Sequence, residues 1–174
     1  VGPTASRHGI YSIFQNRLIP TPKNFRIEKF YDGMAKFYLI HSTVSDNLSL
    51  SDVGFMNTKG EIVIAAKEQV ADKFSNGRAP VFSSGRWYYI DKTGKQFAQQ
   101  FYSGKSFEEG YAAVSVLSKE KKATPLWGVI DRKGQWVVEP KYSRIGPLIG
   151  STRLLYDKKL VGIFSNGKIT LQPR

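Results

Sequence analysis

A short apolar block around one charged turn recurs along this chain of 174 residues. The clearest copy is WGVIDRKGQWVV, which begins at Trp127. Three further copies are VGFMNTKGEIVI from Val53, WYYIDKTGKQFA from Trp87 and VGIFSNGKITLQ from Val161, and a weaker one is HGIYSIFQNRLIP from His8. Self-similarity at intervals of about 20–50 residues is the signature of repeat architectures. The recurrence therefore predicts a chain built from repeated units.

A second motif alternates with this block. It consists of an aromatic residue, a glycine three positions later and an alanine two positions after that, as in FYDGMAKF from Phe30, FSNGRAPV from Phe74 and FEEGYAAV from Phe107. In the fourth interval, PLIGSTRL keeps a glycine at Gly150 and has Thr152 and Leu154 in the two following places. Two motifs that alternate in the same order indicate a genuine structural unit.

The residue types within a unit predict β-strands. Runs such as WGVID and QWVVEP are rich in aromatic and β-branched residues, which fit a pleated sheet. The turns between them contain glycine, the residue that most readily adopts a positive φ in tight hairpins. We expect this conformation at Gly60, Gly94, Gly134 and Gly167. Alternation in YAAVSVL predicts that Ala112, Val114 and Val116 share one face.

The predicted fold class is all-β. We expect one repeat-built domain over residues 1–174, in which each unit has about three short antiparallel strands. The predicted units are 8–52, 53–86, 87–126 and 127–160, followed by a terminal half-unit at 161–174. Because one unit cannot bury its own apolar face, neighbouring units must pack together. A curved or partly closed array, similar to a propeller or a barrel, would provide that packing.

The unit resembles the WG repeat, also called the KWG repeat, of bacterial proteins. WGVIDRKGQWVVEPKY carries the Trp-Gly pair at 127–128, the Asp-x-x-Gly turn at 131–134 and Glu-Pro-Lys-Tyr at 139–142. The other copies are less regular, with Val-Gly or Trp-Tyr in place of Trp-Gly. The resemblance implies a β-rich array, often in exported or envelope-associated proteins, and it implies no shared enzymatic activity.

The tryptophans and the motif glycines are predicted to be structural. A tryptophan buries about 150–250 Å² and can join successive units, and a glycine beside it lets a neighbouring backbone approach closely. The predicted core residues are Trp87, Trp127, Trp136, Gly128 and Gly134. We expect Trp87 and Trp127 to occupy similar environments. The alternative is an exposed aromatic platform that stacks on sugars or bases.

Candidates for catalysis are scarce. The chain has no cysteine, and its two histidines, His8 and His41, belong to no metal-binding or triad pattern. The SGKS segment at 103–106 lacks the earlier glycine and the following helix of a phosphate-binding loop. We therefore predict no catalytic residue, no metal site and no cofactor, and a protein that is not an enzyme.

The net charge of +12 and the pI near 9.9 favour an anionic partner. The lysines and arginines of the hairpin tips and inter-unit connections are the candidate contacts, and the partner-binding residues that we predict are Lys119, Lys121, Lys122, Arg132, Lys133, Lys158 and Lys159. An acidic protein is the expected partner and an anionic glycan the alternative. Nucleic acid is disfavoured because no helix-turn-helix, zinc-finger or RRM pattern is present. No apolar run is long enough for a transmembrane segment.

These features predict a non-catalytic binding protein, periplasmic or secreted, in the bacterial envelope. An immunity or inhibitor role against an acidic partner would suit such a protein. One alternative is a module that binds glycan or cell wall. A second is a hydrolase, which would require a pocket that holds His41 beside a carboxylate. No signal peptide is visible, and the sequence leaves open whether a leader has been removed.

Overall fold

The computed structural model describes residues 9–12, 16–22, 24–40, 52–118 and 124–171. The regular structure of these residues consists of 18 β-strands without a helix, which confirms the all-β prediction. Nothing in these segments forms an apolar helix of membrane-spanning length.

One hairpin and four four-stranded sheets contain all of these strands. The hairpin pairs β1 (Gly9–Ser12) with β2 (Arg17–Pro20). Sheet 1 contains β3 (Phe25–Tyr31), β4 (Met34–Leu39), β5 (Asp52–Asn57) and β6 (Ile62–Glu68). Sheet 2 contains β7 (Val70–Ala71), β8 (Arg78–Ser83), β9 (Arg86–Asp91) and β10 (Gln96–Phe101). Sheet 3 contains β11 (Ser103–Gly104), β12 (Tyr111–Leu117), β13 (Pro125–Asp131) and β14 (Trp136–Tyr142). Sheet 4 contains β15 (Arg144–Ile149), β16 (Thr152–Asp157), β17 (Lys159–Ser165) and β18 (Lys168–Leu171).

Each sheet is an antiparallel meander whose strands are neighbours in chain order. It has four strands rather than the predicted three, because a further strand precedes the Gly-x-Ala strand. In sheets 2 and 3 this first strand is only two residues long. Sequence unit 53–86 supplies β5 and β6 to sheet 1 and β7 and β8 to sheet 2. The half-unit at 161–174 contributes to the third and fourth strands of sheet 4 and is not a separate hairpin. No closed barrel or propeller is found among the described strands.

The turn between the third and fourth strands is fixed by an Asn or Asp side chain. In sheet 3 the Asp131 Oδ1 atom accepts hydrogen bonds from the backbone N–H groups of Lys133 (2.8 Å) and Gln135 (2.9 Å). Asn57 and Asp91 make the same two bonds in sheets 1 and 2. The glycines predicted to have positive φ do so, with values of 81°, 83°, 79° and 77° at Gly60, Gly94, Gly134 and Gly167. In sheet 4 the turn has two residues instead, Asn166 and Gly167, because Ser165 pairs with Lys168.

The glycine of the Trp-Gly pair lies under the backbone of the fourth strand. Trp127 pairs with Tyr142, and Val129 pairs with Val138. The three residues of β14 between Val138 and Tyr142 therefore lie opposite a single residue, Gly128. A Cβ atom on Gly128 would lie 2.4 Å from the carbonyl oxygen of Val138. Gly54 in sheet 1 is equally restricted, with the Ile64 carbonyl oxygen at 2.6 Å. The expected close approach of a neighbouring backbone is therefore present.

The apolar core lies between consecutive sheets. One cluster joins sheets 1 and 2 and includes Phe55 and Phe74, whose rings meet edge to face. A second joins sheets 2 and 3 around Tyr89 and Phe107, and a third joins sheets 3 and 4 around Val129 and Leu155. Ala112, Val114 and Val116 belong together to the second cluster, as the alternation predicts. Each sheet therefore relies on its neighbours for burial.

None of the three tryptophans is fully buried. Trp87 and Trp136 pack at the margin of the cluster between sheets 2 and 3, and Trp136 meets the Phe101 ring edge to face. Trp87 is paired with Phe82, whereas Trp127 is paired with Ser115 and lines a cavity. Trp87 and Trp127 hold equivalent positions but have different surroundings, so the expectation of similar environments is wrong. Gly128 is buried and Gly134 is partly buried.

The fourth copy of the Gly-x-Ala motif is shifted by one residue relative to the sequence alignment. Each first strand turns into the second through a two-residue turn, and the flanking pairs are Tyr31–Met34, Ser75–Arg78, Glu108–Tyr111 and Ile149–Thr152. The residue after each pair is Ala35, Ala79, Ala112 and Arg153. The alignment that placed Thr152 in the alanine's position is therefore wrong, because Gly150 is the first residue of its turn and not the second. Arg153 takes the alanine's place.

Candidate functional site

All four four-stranded sheets contribute to one cavity of ≈ 650 Å³. This volume is within the range of roughly 300–1,000 Å³ that is usual for small-molecule sites. The lining residues come mainly from the first strand of each sheet and the turn after it; they are Glu28, Tyr31, Asp72, Lys73, Lys105, Ser106, Glu108, Ala113, Trp127, Ile145, Gly146, Pro147 and Arg153. We call this space the central cavity.

Four equivalent positions, one in each sheet, form part of its wall. Glu28, Asp72, Lys105 and Gly146 each lie three residues before the residue that enters the first turn, and all four line the central cavity. Around this position the first strand contains a β-bulge, which gives it one residue more than its partner strand. In sheet 1, Ile27 pairs with Phe37 and Phe30 pairs with Ala35, so two residues of β3 lie opposite one residue of β4. Such bulges redirect side chains and are common beside functional sites. The repeat therefore presents one equivalent residue of each sheet to the same space, and these residues are two carboxylates, one ammonium group and a glycine.

Polar contacts around the cavity join each sheet to the next. Between sheets 1 and 2, the Lys73 ammonium lies 4.8 Å from the centre of the Tyr31 ring. The Ser106 hydroxyl of sheet 3 donates to Asp72 of sheet 2 at 2.6 Å. Arg153 of sheet 4 donates to Glu108 of sheet 3 at 2.6 Å. These contacts fix the relative positions of the cavity-lining side chains.

The carboxylates of the cavity are already hydrogen-bonded within the protein. Glu28 accepts from the Tyr38 hydroxyl at 2.8 Å and lies 3.3 Å from the Lys36 ammonium. Burial opposes the charged form of Lys36, but its contacts with Tyr38 and Glu28 outweigh this effect and raise the pKa of Lys36. Asp72 accepts from Ser106 and from the backbone N–H of Lys73.

Arg153 is the most unusual residue of the cavity wall. Its side chain is 3% exposed, and the Glu108 carboxylate with which it pairs is 51% exposed. The buried Nε atom of Arg153 donates to no described residue. Arg153 and Glu108 also line a second cavity of ≈ 300 Å³, between sheets 3 and 4. Sequence reasoning missed Arg153, although a charged residue in the apolar run of STRLLYD was a signal that the correct turn alignment would have revealed.

The four predicted partner-binding residues that the structure describes do not form one surface. Arg132 and Lys133 are exposed at the turn between β13 and β14. Lys158 and Lys159 are exposed at the turn between β16 and β17, which is at the opposite end of the meander because successive turns alternate between ends. Lys119, Lys121 and Lys122 lie outside the described residues, as do His8 and His41.

The hairpin tips between the third and fourth strands do form a common surface. The Gly94 tip of sheet 2 lies against Ile64 of sheet 1, and the Gly134 tip of sheet 3 lies against Ala98 of sheet 2. The Gly167 tip of sheet 4 lies against Tyr111 of sheet 3, so consecutive sheets are in contact at this end. The exposed basic residues of the tips are Lys59, Lys92, Lys95, Arg132, Lys133 and Lys168. Of these six, Lys92 alone forms an ion pair with another described residue, Asp32, at 3.0 Å. We call these six residues the tip surface.

Comparison with known proteins supports the repeat described above. A family model described as "WG containing repeat" matches residues 54–87, 89–119 and 127–150. The chain belongs to the WG-repeat family. No curated protein and no solved structure matches it. In the described part of this WG-repeat protein, no group of three or more His, Asp or Glu side chains is placed to hold a metal ion.

Asp32 provides a testable link between sheets 1 and 2. Partial burial opposes its charged form, but the Gly77 N–H at 2.5 Å and Lys92 at 3.0 Å hold the pKa of Asp32 below its ordinary value. Since the carboxylate is stabilised by folding, its contribution is present above the ordinary aspartate pKa of about 3.9 and is lost as the pH falls through the lower folded-state value. We expect Asp32→Asn to lower the free energy of unfolding at pH 7 by at most about 1 kcal/mol, because the pair is partly exposed.

Urea denaturation at a series of pH values tests this prediction. The difference between the wild-type protein and Asp32→Asn should shrink below pH ~4 and disappear once Asp32 is protonated. The control is Asp157→Asn, an exposed aspartate at the opposite end of the sheets, which should show no such difference. A constant difference between wild type and Asp32→Asn down to the lowest pH would contradict the electrostatic explanation.

Proposed function

We propose that this WG-repeat protein is a non-catalytic binding protein that engages an acidic protein partner through the tip surface. The observation that carries the proposal is the placement of six exposed basic residues on equivalent turns of four successive sheets. Five of them make no ion pair with another described residue, so their charge is available to a partner. A predominantly basic surface speeds encounter with an acidic partner and disfavours basic ones.

The arrangement of the sheets is part of the same proposal. A curved, partly closed array would bring the hairpin tips into an arc and the first strands towards its inside. The central cavity supports this shape, because sheets 1 and 4 both line it. We propose that the protein acts in the bacterial envelope, in the periplasm or after secretion, and an immunity or inhibitor role fits a basic surface that covers an acidic partner.

Affinity capture from the native host, at moderate salt, tests the proposed partner. We expect a specific acidic protein to be retained and then released as the salt concentration rises, since salt screens charges on an exposed surface. The double variant Arg132→Glu, Lys133→Glu should bind this protein at least about tenfold more weakly, because it places like charges opposite one another.

The matched control is the double variant Lys158→Glu, Lys159→Glu. These two lysines are exposed like Arg132 and Lys133, but they lie at the end of sheet 4 opposite to its hairpin tip. This variant should capture the partner as the wild type does. Equal loss of binding in both double variants would mean that net charge and not the tip surface is responsible. Capture of only neutral or basic proteins would reject an acidic partner.

A further inference from the structure

Arg153 departs from the repeat at a position where the other three sheets need a small side chain. Its equivalents Ala35, Ala79 and Ala112 are each 0% exposed and belong to apolar clusters. The pairing partners of these alanines are the apolar residues Met56, Ile90 and Ile130, and Arg153 is likewise paired with an apolar residue, Phe164. Sheet 4 therefore puts a guanidinium group where the architecture by itself requires only a methyl group.

A buried arginine is costly unless its charge and its donors are matched. Glu108 supplies one such match at 2.6 Å, but Glu108 is half exposed and leaves the Nε atom of Arg153 without a described partner. Arg153 also lines the central cavity, so an anionic ligand from solution can compete with the half-exposed Glu108 for its guanidinium group.

The carboxylates of the cavity are engaged by protein donors, whereas one of its cationic groups is not. Glu28, Asp72 and Glu108 each accept bonds from protein groups. By contrast, the ammonium group of Lys105 has no described hydrogen-bond or ion-pair partner, although its backbone atoms bond to Tyr89 and Ala113. Together with Arg153, it leaves the cavity able to bind an anion. Lys105 and Glu108 are exposed, so the cavity is open to a ligand from solution.

The remaining walls indicate which kind of anion fits. Trp127 and Tyr31 place aromatic rings at the cavity, and such rings pack on the C–H faces of sugars. The carboxylates of Glu28 and Asp72 retain lone pairs that can accept from sugar hydroxyls. We propose that the central cavity binds an acidic sugar, with the sugar carboxylate at Arg153 and Lys105 and the sugar ring beside Trp127. This site is separate from the tip surface and does not depend on the proposed protein partner.

Titration of the wild-type protein with D-glucuronate, in a buffer free of carboxylate and phosphate, tests the proposal by calorimetry and tryptophan fluorescence. We expect saturable binding and a change in fluorescence, because Trp127 lines the site. D-glucose at the same concentrations should give neither, since it lacks the carboxylate. Inorganic phosphate should bind more weakly than glucuronate, because it offers no ring to the aromatic wall.

Two variants of the ion pair should change the affinity in opposite directions. Arg153→Ala should weaken glucuronate binding about tenfold or more, the effect of losing a charge-assisted hydrogen bond. It should fold normally, because alanine is what the other three sheets carry at this position. Glu108→Gln should strengthen binding, because the protein carboxylate no longer competes for Arg153. Lys105→Ala is a second, exposed change that should also weaken binding, and Lys133→Ala at the tip surface should leave it unchanged.

Three results would overturn the proposal. The first is an affinity for glucuronate that is the same in Arg153→Ala as in the wild type. The second is an affinity for glucose or for phosphate that equals the affinity for glucuronate, which would show that the cavity is not specific for an acidic sugar. The third is weaker binding in Glu108→Gln, which would show that the Arg153–Glu108 pair supports the site as a unit and does not compete with the ligand.

Discussion

Replacing Tyr89 by alanine is expected to lower the free energy of unfolding by about 3–5 kcal/mol, as for other large aromatic-to-alanine changes in cores. Tyr89 is 0% exposed. Its ring lies 5.2 Å from that of Phe107 and 5.9 Å from those of Phe97 and Phe101, measured between ring centres. Because this cluster joins sheet 2 to sheet 3, removal of the ring leaves a void between two units. Urea denaturation followed by circular dichroism measures the change.

Tyr89→Phe is the matched control, because it removes only the hydroxyl. That hydroxyl donates to the Lys105 carbonyl oxygen at 2.7 Å, and burial raises the pKa of Tyr89 well above its usual range, so it stays protonated at neutral pH. The loss should be about 1 kcal/mol, the usual contribution of one neutral hydrogen bond. If Tyr89→Ala is no more destabilising than Tyr89→Phe, packing between the sheets contributes less than the structure implies.

The turns were predictable from sequence because they are local. The Asp-x-x-Gly pattern contains both the side chain that accepts the backbone hydrogen bonds and the glycine that takes positive φ. Asp131 and Gly134 make the same turn as Asn57 and Gly60, as their matching sequences indicate. The requirement for Gly128 was also predictable, since a glycine within a strand commonly indicates a close backbone approach.

The grouping of strands into sheets was not predictable in the same way. A repeat in sequence gives the period but not the point at which one sheet ends and the next begins. The Gly-x-Ala strand follows one Trp-Gly hairpin in sequence but pairs with the next, as when β8 pairs with β9. For the same reason the alternating turns separate Lys159 from Lys133, although both lie in basic turns of the sequence.

The central cavity was hidden by side chains that vary at equivalent positions. Glu28, Asp72, Lys105 and Gly146 share no residue type, so alignment of the copies gives no signal for a common site. Arg153 was not predicted because its turn differs by one residue. In the sequence alignment Gly150 matches the glycine at the second turn position of the other copies, but in the structure it occupies the first turn position. The side chains that distinguish this cavity are therefore those that differ between the copies of the repeat.

Gly128→Ala is expected to destabilise the protein by about 3 kcal/mol, the upper part of the usual range for an overpacked position. The added Cβ would lie 2.4 Å from the Val138 carbonyl oxygen and 2.7 Å from a ring carbon of Trp136. Trp136 can rotate, but Val138 is held in the sheet by its pairing with Val129, so the bulge of β14 must open. Thermal and urea denaturation measure the loss, and a change in tryptophan fluorescence should accompany displacement of the Trp136 ring.

Alanine substitutions at two other glycines serve as controls that distinguish this steric effect from the effect of a positive φ. Gly146→Ala should change stability by less than about 0.5 kcal/mol, as for substitutions without a special mechanism, because its Cβ would meet no atom closer than 3.5 Å. Gly85 has a φ of +77° and open space around it, so Gly85→Ala should cost about 1–2 kcal/mol through its left-handed conformation alone. If Gly128→Ala costs no more than Gly85→Ala, β14 moves away from the new methyl group at little expense, and close contact with Val138 does not explain the glycine of the Trp-Gly pair.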